Sequence, residues 1–345
     1  MKMKNVIVTD DEVEAFFSKA DGATLVYFLN QLLAALQTYT VDPSINPPRM
    51  AHKIISKDGD EVTHLIMPVV SQEYSGVKTL VNNPILGLQG SITVMDPIDG
   101  TLKGSLEAKV ITAVRTALVS CLPLYLYLKD HLDAFKDSQF INLSVFGTGL
   151  QAKWHIIIAI KLLHYLYPSK PFHVTTIYRT RPINTKVLKE LLGKDAVITL
   201  NDIQIDDKLG VRKCVGQSNV IFGCLPTLTP NLFCQDLNRD GSFTYISLIG
   251  SYRSTMHECD EELIDMFKNS STPIIVDSCE HTLSEAGELI SANVKKSNLV
   301  EIGELSASSI PVLEVDGNHF ILCKIIGLAV MDIAVSQLLL KVLGE

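Results

Sequence analysis

The 345-residue sequence has one tryptophan, no C-x-x-C pair and no block of five or six like charges. Its seven cysteines (Cys121, Cys214, Cys224, Cys234, Cys259, Cys279, Cys323) are scattered. An odd number without ligand spacing argues against a disulfide framework and against a zinc site. A formal net charge of −8 argues against a nucleic-acid footprint, which needs a clustered positive field. No G-x-S-x-G elbow and no H-E-x-x-H pair is present, so the common hydrolase signatures are missing. The longest apolar stretches are interrupted by Lys161 and Asp332, and no membrane span is expected. The opening "MKMKNVIVTDDEVEAFF" has too short an apolar run for a signal peptide. These absences point to a cytoplasmic globular protein, and 345 residues suffice for two domains.

Thr9 followed by Asp10, Asp11 and Glu12 marks a helix start, with acids where the dipole favours them. Leu25, Phe28, Leu29, Leu32, Leu33 and Leu36 keep helical spacing. From Arg49 to about Lys109, short β-rich runs punctuated by Gly and Pro predict a meander of strands. "VITAVRTALVSCLPLYLYLKDHL" reads as a helix, with Pro123 expected to kink or break it. Beyond residue 140, candidate strands at 140–146, 172–178, 196–200, 219–223, 243–249 and 273–278 alternate with helical segments. Such alternation marks a parallel sheet covered by helices, so the fold class is α/β. "VLEVDGNHFILCK" is a hairpin pattern around Asp316-Gly317, and a closing helix follows. The expected division is one discontinuous α+β domain from both chain ends, residues 1–122 and 312–345, around a central block of 123–311.

Gly147-Thr148-Gly149-Leu150-Gln151-Ala152 fits G-x-G-x-x-[G/A] between a strand and a helix. The first glycine permits the tight turn and the second lets the backbone approach a pyrophosphate. A small third residue lets helix and strand pack closely, as in a Rossmann-type fold. The helix N-terminus adds free N–H groups and a positive dipole. A tight strand-to-helix corner without a ligand uses the same residues. The next strand ends in "YRTRP", without the carboxylate that grips an NAD ribose. Arg179, Thr180 and Arg181 there suit a 2′-phosphate, which favours NADP(H), with NAD(H) possible.

Three cations stand in apolar or β-rich surroundings: Arg49, Lys78 and Arg115. Arg115 lies among residues expected to be buried, and a buried guanidinium needs an anionic partner. That partner is either structural, such as Glu107 or Asp96, or the carboxylate of a small substrate. Asp332 is an acid among apolar residues, able to pair with a cation or to orient substrate. His64 is read as a core histidine before a proton donor.

Taken together, "MP" at Met67-Pro68, "GVK" at Gly76–Lys78, "VITAVRTALVS" at Val110–Ser120 and "GTGLQAKWH" at Gly147–His155 resemble the ornithine cyclodeaminase/mu-crystallin family. "VDS…EAGEL" at Val276–Leu289, "IGEL" at Ile302–Leu305 and "GLAVMD" at Gly327–Asp332 extend the likeness over most of the chain. The resemblance implies a homodimer of subunits with a substrate-binding and dimerisation domain and a central Rossmann domain. It implies that Arg49, Lys78 and Arg115 match the family's carboxylate-binding residues, and that "YRT" matches the "NRT" of NADPH-using members. In cyclodeaminating members an aspartate and a lysine stand where this chain has Tyr252 and Met256. A serine usual before the final glycine motif is Ile325. The expected activity is therefore NAD(P)H-dependent reduction of an imine or ketimine precursor of an amino acid. The alternatives are an ornithine cyclodeaminase-type ammonia-lyase and a non-catalytic NADP(H)- and small-ligand-binding protein.

Overall fold

The computed structural model describes residues 6–83, 87–193, 196–251 and 253–344. The chain divides into one unit of residues 1–20, 26–115 and 327–345, and another of 21–25 and 116–326.

The first unit is built on β1 (Val6–Val8), β2 (Met50–Ile55), β3 (Glu61–Val70), β4 (Ser75–Asn83), β5 (Gly87–Met95) and β6 (Leu102–Glu107). They form one six-stranded sheet in the order β1-β6-β5-β4-β3-β2. Every pairing is antiparallel except that of β1 with β6, so the predicted meander is present. Residues alternate across the pleat, and Gly76, Lys78 and Leu80 of β4 share its buried face. Helix α1 (Asp10–Lys19) starts at Thr9 with a reciprocal capping box to Glu12. Helix α2 (Gly22–Val41) follows it.

Helix α3 (Ala108–Leu128) continues directly from β6 and carries Pro123 within it. Of the two outcomes expected at Pro123, a kink or a break, the break does not occur. Val119, Leu122, Leu124 and Leu126 are all buried around it, and their packing outweighs one lost backbone hydrogen bond. By length and composition α3 could cross a membrane, but 89% of its apolar window is buried within the fold, as in a core helix.

The second unit contains β7 (Ile141–Phe146), β8 (Phe172–Tyr178), β9 (Ile198–Gln204), β10 (Val220–Gly223) and β11 (Phe243–Leu248). It also contains β12 (Ile274–Val276), β13 (Leu299–Glu301), β14 (Leu313–Val315) and β15 (Asn318–Lys324). Its helices are α4 (Leu150–Leu166), α5 (Thr185–Leu192), α6 (Lys208–Val215), α7 (Glu261–Lys268), α8 (Cys279–Glu285) and α9 (Gly287–Ser291). The strand order is β13-β12-β15-β11-β10-β7-β8-β9, parallel throughout, with β14 antiparallel on β15. Strands β10, β11 and β12 are buried along their whole length, as expected for strands covered on both faces. The order turns back between β7 and β10, the Rossmann-type switch. The fold is α/β, as the alternation predicts.

One boundary differs from the sequence reading. The hairpin at 312–326 belongs to the parallel sheet, because β15 pairs with β11 on one side and β12 on the other. Residues 116–122 of α3 likewise fall in the second unit. The closing helix α10 (Ala329–Gly344) returns to the first unit, where it packs across β3 to β6.

Candidate functional site

In the first unit, three charged side chains meet away from water. Lys78 on β4 brings its Nζ to 2.6 Å from Asp332 Oδ1, and Arg115 Nε on α3 donates to the same oxygen at 3.0 Å. Lys78 is 1% exposed, Arg115 6% and Asp332 0%. Asp332 lies in the first turn of α10, where the helix dipole favours an anion. The backbone N–H of Val330 in that turn donates to Asn46 Oδ1 at 3.1 Å. Gly327 precedes the helix with φ of 104°, and a Cβ there would lie 3.2 Å from Arg115 Nη2. The backbone conformation requires glycine, and the guanidinium leaves little room for a side chain.

The cluster carries one net positive charge. Arg115 Nη1 and Asp332 Oδ2 are buried and have no hydrogen-bond partner among the described residues. Burial pulls Lys78 down to about 8; Asp332 offsets part of that fall and Arg115 adds to it. An ammonium in that range can both hold an anion and exchange a proton near neutrality.

Neither sequence candidate for Arg115's protein partner is the one found. Glu107 accepts from the Asp10 N–H at 2.7 Å, and Asp96 pairs with Lys103 at 3.3 Å. Asp332, 217 positions along the chain from Arg115, takes that role. Arg49 is exposed on the residue before β2, an edge strand, so unlike Lys78 it is not a buried cation. His64 is half-buried in β3 opposite His52 rather than in the core.

In the second unit, the glycine turn closes β7 at the switch point. Gly147 donates its N–H to Ile177 O at 2.8 Å. Its φ is 113°, and a Cβ would lie 3.1 Å from the Cys224 carbonyl oxygen. Gly149 is the N-cap of α4 and supplies no side-chain cap. A Cβ on Gly149 would meet nothing within 4 Å, so the space over the helix N-terminus is open. Leu150 begins the helix, and Ala152 is fully buried behind the turn. Gln151 Oε1 has no hydrogen-bond partner among the described residues. A strained glycine corner, open space and uncapped N–H groups fit the pyrophosphate of a dinucleotide.

Around that turn, Thr148 Oγ1 donates to Arg181 O at 2.8 Å, tying the turn to the loop after β8. Arg179, Thr180 and Arg181 are all exposed. Arg179 Nη1 reaches Pro226 O at 3.4 Å, a bond that spans the end of β7. Behind the turn, burial pushes His155 down to about 4, so its ring is neutral. It donates from Nδ1 to Gln151 O at 2.8 Å and accepts at Nε2 from Ser120 Oγ at 3.0 Å, which fixes the first turn of α4.

Of the departures noted in the sequence, Tyr252 lies outside the described residues. Met256 is buried, and Ile325 is buried with its N–H on Leu248 O at 3.0 Å. Sequence reasoning missed Asn46 and the role of Gly327. It also missed a buried ion cluster of Lys324, Glu258 and Glu288. The last had a signal: a lysine ending the apolar run "FILC" is a buried charge of the same kind as Arg115.

Comparison with known proteins agrees with both units. An uncharacterized protein of Saccharomyces cerevisiae is 44% identical over 357 residues, spanning 97% of this chain and 96% of that one. The ketimine reductase mu-crystallin of Rattus norvegicus is 25% identical over 257 residues, 74% of this chain and 70% of its own. Among solved structures, Thermococcus litoralis Δ1-pyrroline-2-carboxylate reductase, determined with NADH and L-proline, superposes with a TM-score of 0.69. It is 18% identical, covering 97% of this chain and 96% of that one, and so speaks to the fold alone. The profile of the ornithine cyclodeaminase/mu-crystallin family matches residues 23–342, and the chain belongs to that family.

Proposed function

We propose that the protein is an NAD(P)H-dependent reductase of an imino acid, with the substrate carboxylate held by Arg115 and Lys78. The observation that carries this reading is the buried cluster with one net positive charge and an unpartnered guanidinium nitrogen. A carboxylate would supply the missing charge and accept from Arg115 Nη1 in a charge-assisted bond. Asp332 holds both cations in place, and exposed Arg49 adds a third positive group. Lys78, with its lowered proton affinity, can protonate an imine that arrives neutral. Gly147, Thr148, Gly149, Leu150, Gln151 and Ala152 would hold the dinucleotide, which supplies the hydride. Arg179, Thr180 and Arg181 favour NADP(H), since two guanidinium groups and a hydroxyl suit a 2′-phosphate.

Support for a reductase over a cyclodeaminase comes from Tyr252, which replaces the carboxylate that assists deprotonation and ring closure, and from Met256 in place of a lysine. The named activity of the rat relative, ketimine reduction, is likewise a reduction. The reading includes a homodimer: Met50, Ile54 and Ile55 of the edge strand β2 are exposed, as is Ile66 of β3 beside it. Seven unpaired cysteines support a reducing, cytoplasmic setting.

The test is NADPH and NADH oxidation over a panel of cyclic imino acids, pyrroline-2-carboxylate among them, with Arg115→Ala run beside the wild type. Turnover is expected in the wild type and lost in the variant, while dinucleotide binding survives. Full activity in the variant would reject the clamp. Ammonia release from ornithine without net change in cofactor absorbance would make the protein a lyase, and NADPH binding with no turnover a binding protein.

A further inference from the structure

The backbone just beyond β11 is held by buried charges. Lys324, the last residue of β15, brings its Nζ to 2.9 Å from Glu258 Oε2 and 3.0 Å from Glu288 Oε1. Glu258 Oε2 also accepts from the Ser251 N–H at 3.0 Å, and Ser251 Oγ donates to Glu288 Oε2 at 2.7 Å. Lys324, Glu258, Glu288 and Ser251 are all buried. A buried ionic cluster is weak evidence for stability, since burial of its charges offsets most of their attraction. Its position is more informative.

The Glu258 carboxylate occupies the room left by two glycines. A Cβ on Gly223, which ends β10, would lie 2.4 Å from Glu258 Oε1, and one on Gly250, after β11, 2.7 Å from it. Neither residue has the positive φ that requires glycine. At Gly223 the carboxylate is the nearest obstacle to a side chain, and at Gly250 it shares that place with the Leu225 carbonyl oxygen, 2.5 Å from the same point. Oε1 itself is buried and has no hydrogen-bond partner among the described residues. Burial pushes the carboxyl of Glu258 up, and Lys324 offsets part of that rise.

In a doubly wound sheet a dinucleotide crosses the C-terminal strand ends at the switch point, with its pyrophosphate on the first strand-to-helix turn. Its adenosine ribose lies toward the following strand, here β8. The nicotinamide half is then left with the ends of β10 and β11, beside Gly223 and Gly250. We propose that Glu258 is a cofactor-positioning residue. Wedged between those glycines and held by Lys324 and Ser251, it sets the backbone surface on which the nicotinamide half rests. This inference rests on the dinucleotide reading above.

The test is calorimetric titration of the full-length protein with NADPH and NADH, and with the adenosine-half probes 2′,5′-ADP and ADP-ribose. Glu258→Ala should weaken the preferred reduced dinucleotide on the order of tenfold and leave the matching adenosine-half probe unchanged. Glu258→Gln, with the same shape and an oxygen still able to accept, should retain wild-type affinity. If Glu258→Ala does not fold, Glu258→Asp, which keeps the charge but draws the carboxylate back from the two glycines, should show the same selectivity at roughly threefold. An unchanged dinucleotide affinity, a parallel loss for both probes, or an equal loss in Glu258→Gln would overturn the proposal while leaving the dinucleotide site standing. A wild type that binds neither NADPH nor NADH would remove the dinucleotide reading itself.

Discussion

Replacing Asp332 by asparagine strips two buried cations of their shared anion while leaving the side chain's shape unchanged. Asp332 Oδ1 lies 2.6 Å from Lys78 Nζ and 3.0 Å from Arg115 Nε, and all three residues are buried. Removing one partner of a buried ion pair costs about 3–5 kcal/mol. Lys78 has a way to reduce that cost, because its proton affinity already sits at about 8 and part of even that value comes from Asp332. In Asp332→Asn it releases its proton more readily, leaving Arg115 as the cation without a partner. The expected destabilisation at pH 7.5 is therefore that of one buried charge, about 3–5 kcal/mol, not twice that. Against a typical total of about 5–15 kcal/mol this is large. Urea unfolding of variant and wild type followed by circular dichroism should show a midpoint lower by roughly 1 M. A midpoint shift under about 0.2 M would refute the claim that these cations are desolvated and depend on Asp332.

Lys78 also predicts opposite pH trends for activity and stability. As pH rises through about 8 the ammonium loses its charge, so KM for a carboxylate substrate should climb, read from a pH profile of kcat/KM. Its folded proton affinity lies below the unfolded value of 10.5, so between about 8 and 10.5 the unfolded chain binds more protons. Wild type should gain stability relative to Lys78→Met over that window, checked by urea midpoints at matched pH. A falling difference would contradict the burial assigned to Lys78. For the cofactor, Arg179→Ala should weaken NADPH on the order of tenfold with NADH nearly unchanged, measured by titration. Equal losses would reject the 2′-phosphate role.

What was legible in the sequence is what short segments determine. The helix start at Thr9 and the glycine corner at Gly147 are local, and both are as expected. Arg115 could be recognised as a buried charge because its neighbours on one helix are apolar. Its partner could not, since nothing local links it to a residue 217 positions away. The Asp316-Gly317 turn specifies a hairpin, and β14 and β15 form one. Which sheet that hairpin joins depends on β11 and β12, far from it in the chain. Pro123 does not break its helix, because helix propensity is a local quantity while its cost is borne by the surrounding core.

The place of β15 bears on how the chain acquires its structure during synthesis. Strands β12 and β13 reach the rest of the parallel sheet only through β15, although β15 is translated after them. Until the segment ending at Lys324 has left the ribosome, an apolar edge of β11 and the unpaired side of β12 must wait exposed. A nascent chain stalled shortly before that point would offer two unsatisfied strand edges, the kind of surface that chaperones shield and that truncated products aggregate through.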